Sequence, residues 1–236
     1  MFRELFLTKR QQKKIHFFKL MEGYPAGEYS VRTLSQKLDC SYQSLLQMLQ
    51  EINETLIKLN ETPLFVTTSD IYWESDSNRS NKFLITQVKR SLPYRFLLTT
   101  LYRPEQELAD FCKETFASES TVLRRMRPVI DYLAECSIRV NLSKMELTGH
   151  EAVIRLFYIK ALWSASLGDD LVKCELDFTA EENLLRDLMS VFPLPIHTKL
   201  IRLMLCVCRL RNDQKRYLNE APFDDLLFSQ TTPLLD

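Results

Sequence analysis

Two stretches of this chain, 77 residues apart, lay over one another position by position. Leu34 meets Phe111, Ser35 meets Cys112, Ser41 meets Ser118, Leu45 meets Val122 and Gln47 meets Arg124. In each copy a short apolar segment is followed by a tight turn and a serine able to cap a helix. A longer run with apolar residues at helical spacing comes next. That is the pattern of a helix-turn-helix, and its repetition constrains the fold more than any other feature. The first copy continues through Leu49, Ile52, Leu56 and Leu59, the second through Val129, Tyr132 and Leu133. Pro128 interrupts the second run and is expected to kink or restart it, because its nitrogen has no hydrogen to donate.

Each copy is trailed by two β-prone runs around a polar turn. The first pair is 63–68 and 71–73 around Ser69-Asp70, the second 138–142 and 145–148 around Ser143-Lys144. A hairpin directly after such a helix reads as a wing. The segment 74–81 is the most polar in the chain and reads as wing edge or linker. The expected fold is therefore mainly α with small β-hairpin wings: tandem winged helix-turn-helix domains followed by a helical bundle segment. The boundaries are 1–80 for the first winged unit, 88–168 for the second and 172–236 for a helical segment.

Composition narrows the classes. Only four glycines in 236 residues argue against doubly wound and barrel folds, whose tight turns and close backbone approaches need them. No apolar run reaches the length of a membrane span, and the N-terminus lacks signal-peptide order, so a cytoplasmic protein without membrane contact is expected. The cysteines at 40, 112, 136, 174, 206 and 208 form no CxxC pair, and they read as reduced core residues rather than metal ligands. His16, His150 and His197 stand far apart with no nucleophile motif or phosphate-binding loop, so neither an enzyme nor a cofactor is expected. A formal net charge of zero counts against unspecific coating of nucleic acid, though not against a local basic reader.

The second copy supplies that local charge. A helix-turn-helix lays the first turns of its last helix into the major groove. Ser118, Ser120, Thr121, Arg124, Arg125 and Arg127 occupy those turns, offering hydroxyls for phosphates and guanidinium forks for guanine or phosphate. In the first copy the same positions hold Ser41, Tyr42, Gln43, Ser44 and Gln47, with no cation before Lys58. Gln43 or Gln47 could pair with adenine. Basic help there would have to come from Lys9, Arg10, Lys13, Lys14 and Arg32. The expected function is a transcription regulator that contacts double-stranded DNA mainly through the second copy. The competing reading is a winged-helix protein-interaction or assembly module.

The stretches Ser118-Glu119-Ser120-Thr121-Val122-Leu123-Arg124-Arg125-Met126 and Leu147-Thr148-Gly149-His150-Glu151-Ala152-Val153-Ile154-Arg155-Leu156-Phe157 carry a family resemblance. With two winged units over about residues 10–165, the chain resembles the N-terminal half of the Mga-type virulence regulators of Gram-positive bacteria. The resemblance implies DNA binding, and beyond the winged units phosphotransferase-regulated domains (PRDs), helical bundles with phosphorylatable histidines. Residues 172–236 would then be the opening helices of one such bundle in a shortened or truncated chain. His197, within Leu194–Lys199, matches no phosphoacceptor pattern, and Gln47 stands where an arginine is usual. The stretch Leu200, Ile201, Leu203, Met204, Leu205 and Val207 is nearly apolar all round and needs cover, from the missing remainder or from a second protomer. A homodimer or homo-oligomer is thus expected, with RNA polymerase as a further candidate partner.

Overall fold

The computed structural model describes residues 2–67, 69–74, 76–166, 176–191 and 198–218. The chain divides into two compact units, one of residues 7–88 and one that joins residues 1–6 to residues 89–236.

The 7–88 unit opens with α1 (Lys9–Glu22). Its N-cap Thr8 and Gln11 form a reciprocal capping box that satisfies the first-turn donors. Strand β1 (Gly27–Ser30) follows, then α2 (Val31–Lys37), α3 (Tyr42–Lys58), β2 (Phe65–Val66), β3 (Asp70–Trp73) and α4 (Ser77–Lys89). The strands make an antiparallel sheet in the order β1-β3-β2, with Gly27 opposite Trp73 and Val66 opposite Ile71. The expected hairpin is therefore present, and it gains a third strand, β1, from the segment that follows the α1 C-cap Gly23. Asn53 on α3 clasps the chain entering β2: its Oδ1 accepts from Leu64 N–H at 2.7 Å and its Nδ2 donates to Leu64 O at 2.9 Å. Phe17, Phe18, Trp73 and Phe83 fill the core.

The polar stretch 74–81 is where α4 begins. Asp76 Oδ1 accepts from the N–H groups of Asn78 and Arg79, closing the first turn. Arg79 turns inward to 2% exposure, lies 5.2 Å from the Trp73 ring and donates to the carbonyls of Thr62 and Glu74. A charge in a polar sequence run reads as solvated; here carbonyls and an aromatic face take the place of water.

In the other unit a short 3-10 helix (Phe2–Phe6) sets Phe2 and Phe6 against Tyr132, Phe157 and Tyr94. Then come α5 (Leu92–Tyr102), α6 (Leu108–Thr115), α7 (Glu119–Glu135), β4 (Arg139–Asn141), β5 (Glu146–Thr148), α8 (Glu151–Ser166), α9 (Thr179–Val191) and α10 (Thr198–Asp213). The hairpin pairs Arg139 with Thr148 and Asn141 with Glu146. Gly149, at φ 154°, leads from wing to α8; a Cβ there would come 2.8 Å from Ser137 O, so a side chain is excluded.

The 77-residue offset holds in three dimensions. Helices α3 and α7 have the same length, with N-caps Ser41 and Ser118. Their buried rows, Leu45-Leu49-Ile52-Leu56 and Val122-Met126-Val129-Leu133, coincide under the offset. So do the left-handed residues of the turns, Asp39 (φ 47°) with Phe116 (φ 53°) and Asn60 (φ 55°) with Ser137 (φ 58°). Helices α2 and α6 are each tied to their own wing, Val31 N–H to Ser69 O at 2.9 Å and Leu108 N–H to Ser143 O at 3.2 Å.

Pro128 does not break α7, which runs without interruption from Glu119 to Glu135. The proline faces outward, and the four-residue buried row on the opposite face spans it. The cost is one intrahelical bond, leaving the Arg124 carbonyl without its usual donor.

Much of the apolar stretch on α10 is covered by the same chain, while Met204 stays exposed. Leu203, Cys206 and Val207 are buried, and α10 packs on α8, α5 and α9. Gln214 Nε2 donates to the C-terminal carbonyls of α5, 2.6 Å from Leu101 O and 3.3 Å from Thr100 O. On α9 the row Leu184, Leu188 and Val191 remains exposed.

Candidate nucleic-acid interface

Helix α7 presents the sequence-predicted residues on a firmly capped end. Ser118, in extended backbone at φ −72° and ψ 154°, accepts the Thr121 N–H at 3.3 Å. Its hydroxyl also lies 3.0 Å from Ser120 Oγ and 2.9 Å from Thr121 Oγ1. Three hydroxyls thus cluster at a helix N-terminus, where free N–H groups and the helix dipole favour an anion.

Opposite the buried row runs an outer row at i, i+4, i+7 and i+11: Ser120, Arg124, Arg127 and Asp131, all exposed. Arg124 has no ion pair among the described residues. Arg127 differs, because its Nε lies 3.0 Å from Asp131 one turn on. Arg125 sits to the side, half-buried; burial lowers its pKa first, and the positive charge of Arg124 lowers it further. Two adjacent guanidiniums that repel one another on a helix surface are relieved by an anion between them. Thr121 is half-buried at the edge of the same face.

Helix α3 repeats this geometry without the charge. Ser41 Oγ accepts from Ser44 N–H at 3.2 Å, and Tyr42, Gln43, Ser44 and Gln47 are exposed. Its outer row reads Gln43, Gln47, Gln50 and Glu54, so no cation replaces Arg124 or Arg127. Two of the cations expected to assist are engaged elsewhere: Lys14 and Arg10 both pair with Glu51 of α3, Lys14 at 2.8 Å. Burial by itself raises the Glu51 carboxyl, but hydrogen bonds and charge from Lys14 and Arg10 outweigh it and hold the pKa below 4.5. Lys9, Lys13 and Arg32 remain exposed.

The two wings differ in the same sense. The second carries exposed Arg139 on β4 and exposed Lys144 in its turn, which is braced by Asn141 Oδ1 accepting the Lys144 N–H at 3.1 Å. In the first wing the turn is closed by Thr67 Oγ1, which accepts from Ser69 and Asp70 N–H, and the charge there is the Asp70 carboxylate. Sequence reasoning identified the second hairpin but did not single out its cations. Their signal was present, a basic residue on a strand and another at a wing tip.

Residues 77–162 match the Mga helix-turn-helix domain. The Mga domain begins with α4, contains α5, α6, α7 and the β4–β5 wing, and ends within α8, so the Ser118–Arg127 face lies wholly inside it. This stretch is thus similar to a helix-turn-helix of the Mga type. No curated protein matches the chain.

Other sequence-singled groups take no part in this face. Cys136 and Cys206 are buried, while Cys40, Cys112 and Cys208 are partly covered, all as free thiols; Cys174 lies outside the described residues. Among the described residues no group of His, Cys, Asp and Glu could hold a metal ion, and no helix is long and apolar enough to cross a membrane. His197 also lies outside the described residues. His150 precedes α8, and its carbonyl accepts the Ile154 N–H.

Proposed function

We propose that this protein is a transcription regulator that binds duplex DNA through the N-terminal half of α7. The observation that carries this reading is the exposed, uncompensated Arg124, one turn beyond Ser120 on a serine-capped helix inside an Mga helix-turn-helix domain. In this reading Ser118, Ser120 and Thr121 bond phosphates, Arg124 reaches a base edge, and Arg125 and Arg127 hold the flanking backbone. Arg139 and Lys144 on the wing add phosphate contacts. We place the activity in the cytoplasm, where such a regulator meets its promoter and RNA polymerase.

The 7–88 unit supports a different role. Its outer row of glutamines and one glutamate, with Arg10 and Lys14 both paired to Glu51, suits a protein-facing surface better than a phosphate-facing one. We infer that this unit is a scaffold or dimerisation element with auxiliary base contact from Gln43 or Gln47. A homodimer would set two α7 helices on one duplex, and the exposed Leu184, Leu188 and Val191 row favours self-association. Residues 172–236 we read as a PRD-like regulatory segment, coupled to the reader through α10.

Fluorescence anisotropy with labelled promoter DNA at two salt concentrations tests the central reading. Binding by the parent should weaken steeply as salt rises, and the double substitution Arg124→Ala with Arg125→Ala should abolish sequence preference. A double mutant that binds like the parent removes α7 as the reader. Equal loss from Gln43→Ala with Gln47→Ala would assign the 7–88 unit an equal share in reading.

A further inference from the structure

Outside the α7 face, the 89–236 unit holds a second concentration of positive charge. Between α5 and α6 lies an open groove of about 450 Å3, walled by Lys89, Arg90, Arg95 and Arg103 around Tyr102, with Glu114 as the one carboxylate. Arg103 is held in place: its Nη1 lies 2.9 and 3.1 Å from the two Glu114 oxygens, and its guanidinium stacks 5.2 Å from the Tyr102 ring. That pair consumes the only negative charge of the groove. Arg90 and Arg95 are both exposed and have no ion pair among the described residues. Concentrating cations in a recess with one neutralised carboxylate is unfavourable unless an anion fills it.

Placement indicates which anion. Helices α5 and α6 both pack on α7, Phe111 of α6 lines the groove, and Glu114 stands four residues before the α7 cap Ser118. When the last helix of a helix-turn-helix enters the major groove, the helix before it crosses the sugar-phosphate backbone. The wall formed by α6 then faces a phosphodiester strand. The groove, at about 450 Å3, is also roomier than a single inorganic ion needs. Resting on the reading of α7 as a DNA helix, we propose that the Arg90–Arg95–Arg103 groove is a second anion site that clamps the DNA backbone beside the α7 footprint. It adds affinity without sequence information, because phosphates are the same at every step.

The test compares the full chain with Arg90→Ala/Arg95→Ala on a promoter duplex and on a scrambled duplex, across a salt series. Both residues are exposed, so the variant should fold, and a thermal melt matching the parent verifies this. The expected result is about 5–10-fold weaker binding to both duplexes, an unchanged preference between them, and a log-log salt slope shallower by roughly 1–2, since each lost phosphate contact removes about 0.9. Arg90→Lys/Arg95→Lys should retain the slope. Parent-like affinity and slope in the alanine variant overturn the groove while leaving α7 untouched. Loss of preference for the promoter with no change of slope also overturns it, by making these arginines base readers. If the parent itself fails to bind either duplex, the DNA reading falls, and the groove with it.

Discussion

Glu151 and Arg211, 60 residues apart, form a buried ion pair: Arg211 Nη2 donates to Glu151 Oε2 at 2.7 Å and Nε to Oε1 at 3.0 Å. The side chains are only 12% and 3% exposed. Glu151 also accepts from Arg155 Nε at 3.0 Å, while Arg155 Nη2 reaches Asn212 Oδ1 and Arg216 O. One carboxylate at the start of α8 therefore holds two guanidiniums and fixes α10 to the wing-to-helix corner of the Mga domain. Arg216, just beyond α10, closes the arrangement by pairing with Glu146 of β5.

Removing that carboxylate leaves two buried arginines without a counter-charge. Glu151→Ala should destabilise the 89–236 unit by about 3–5 kcal/mol, the usual range when one partner of a buried pair is lost. Urea unfolding followed by circular dichroism measures it, and a loss below about 1 kcal/mol would mean that the network is solvated in solution.

On the proposed reading of α7, the Asp131 carboxylate that pairs with Arg127 would compete with a DNA phosphate for it. Asp131→Ala should tighten binding a few-fold by freeing that guanidinium and removing a negative charge from the α7 face. Arg127→Ala should cost less than Arg124→Ala, which is expected to lose about 1–3 kcal/mol if Arg124 pairs with a base. Anisotropy titrations of the three variants rank them, and weaker binding by Asp131→Ala would contradict this competition.

Capping makes a prediction that does not involve DNA. Ser118→Ala and Ser41→Ala should each cost about 0.5–2 kcal/mol, and the glycine versions only a few tenths, because the backbone can then be solvated at the cap. Thermal melts of the four variants decide it; alanine variants that melt like the parent would show that the serine hydroxyls do not bear on stability.

Phe116 combines a left-handed backbone (φ 53°) with a side chain that is 98% exposed. The left-handed conformation costs a non-glycine residue about 1–2 kcal/mol, while glycine costs about 0.5–1 kcal/mol in chain entropy. Phe116→Gly should therefore stabilise the fold by roughly 0.5–1 kcal/mol. Differential scanning calorimetry would expose a destabilised variant, which would mean that the ring makes contacts in solution.

In the 7–88 unit the prediction concerns acid. Glu51 has its folded pKa depressed below 4.5, so its contribution is fully present above that value and is lost as pH falls through the lower folded value. Stability measured between pH 6 and 3 should fall more steeply for the parent than for Glu51→Gln. Parallel curves for the two proteins would refute the assignment.

Much of this architecture is legible along the chain because its determinants are local and periodic. The serine caps at 41 and 118 and the rows beginning at Leu45 and Val122 depend on residues within a turn or two of each other. The wings follow the same logic through alternation and turn chemistry. Where local reading went astray, distant groups intervened. Pro128 leaves α7 intact because packing on the far face holds the helix through the gap, and β1 forms because β3 offers it an edge. Arg79, in the most polar stretch, is buried because Trp73 and two carbonyls receive it.

The sequence by itself determined the duplicated helix-turn-helix skeleton and the asymmetry between an arginine-bearing α7 and a glutamine-bearing α3. Only the tertiary structure decided which cations remain available to an anion. Arg10 and Lys14 are both drawn onto Glu51, and Arg155 and Arg211 are buried around Glu151, while Arg90 and Arg95 are gathered with Arg103 into one groove. Helical periodicity says which face a side chain takes, because that is set by backbone geometry. Whether its charge is spent depends on distance and burial among residues far apart in the chain, and folding alone sets those.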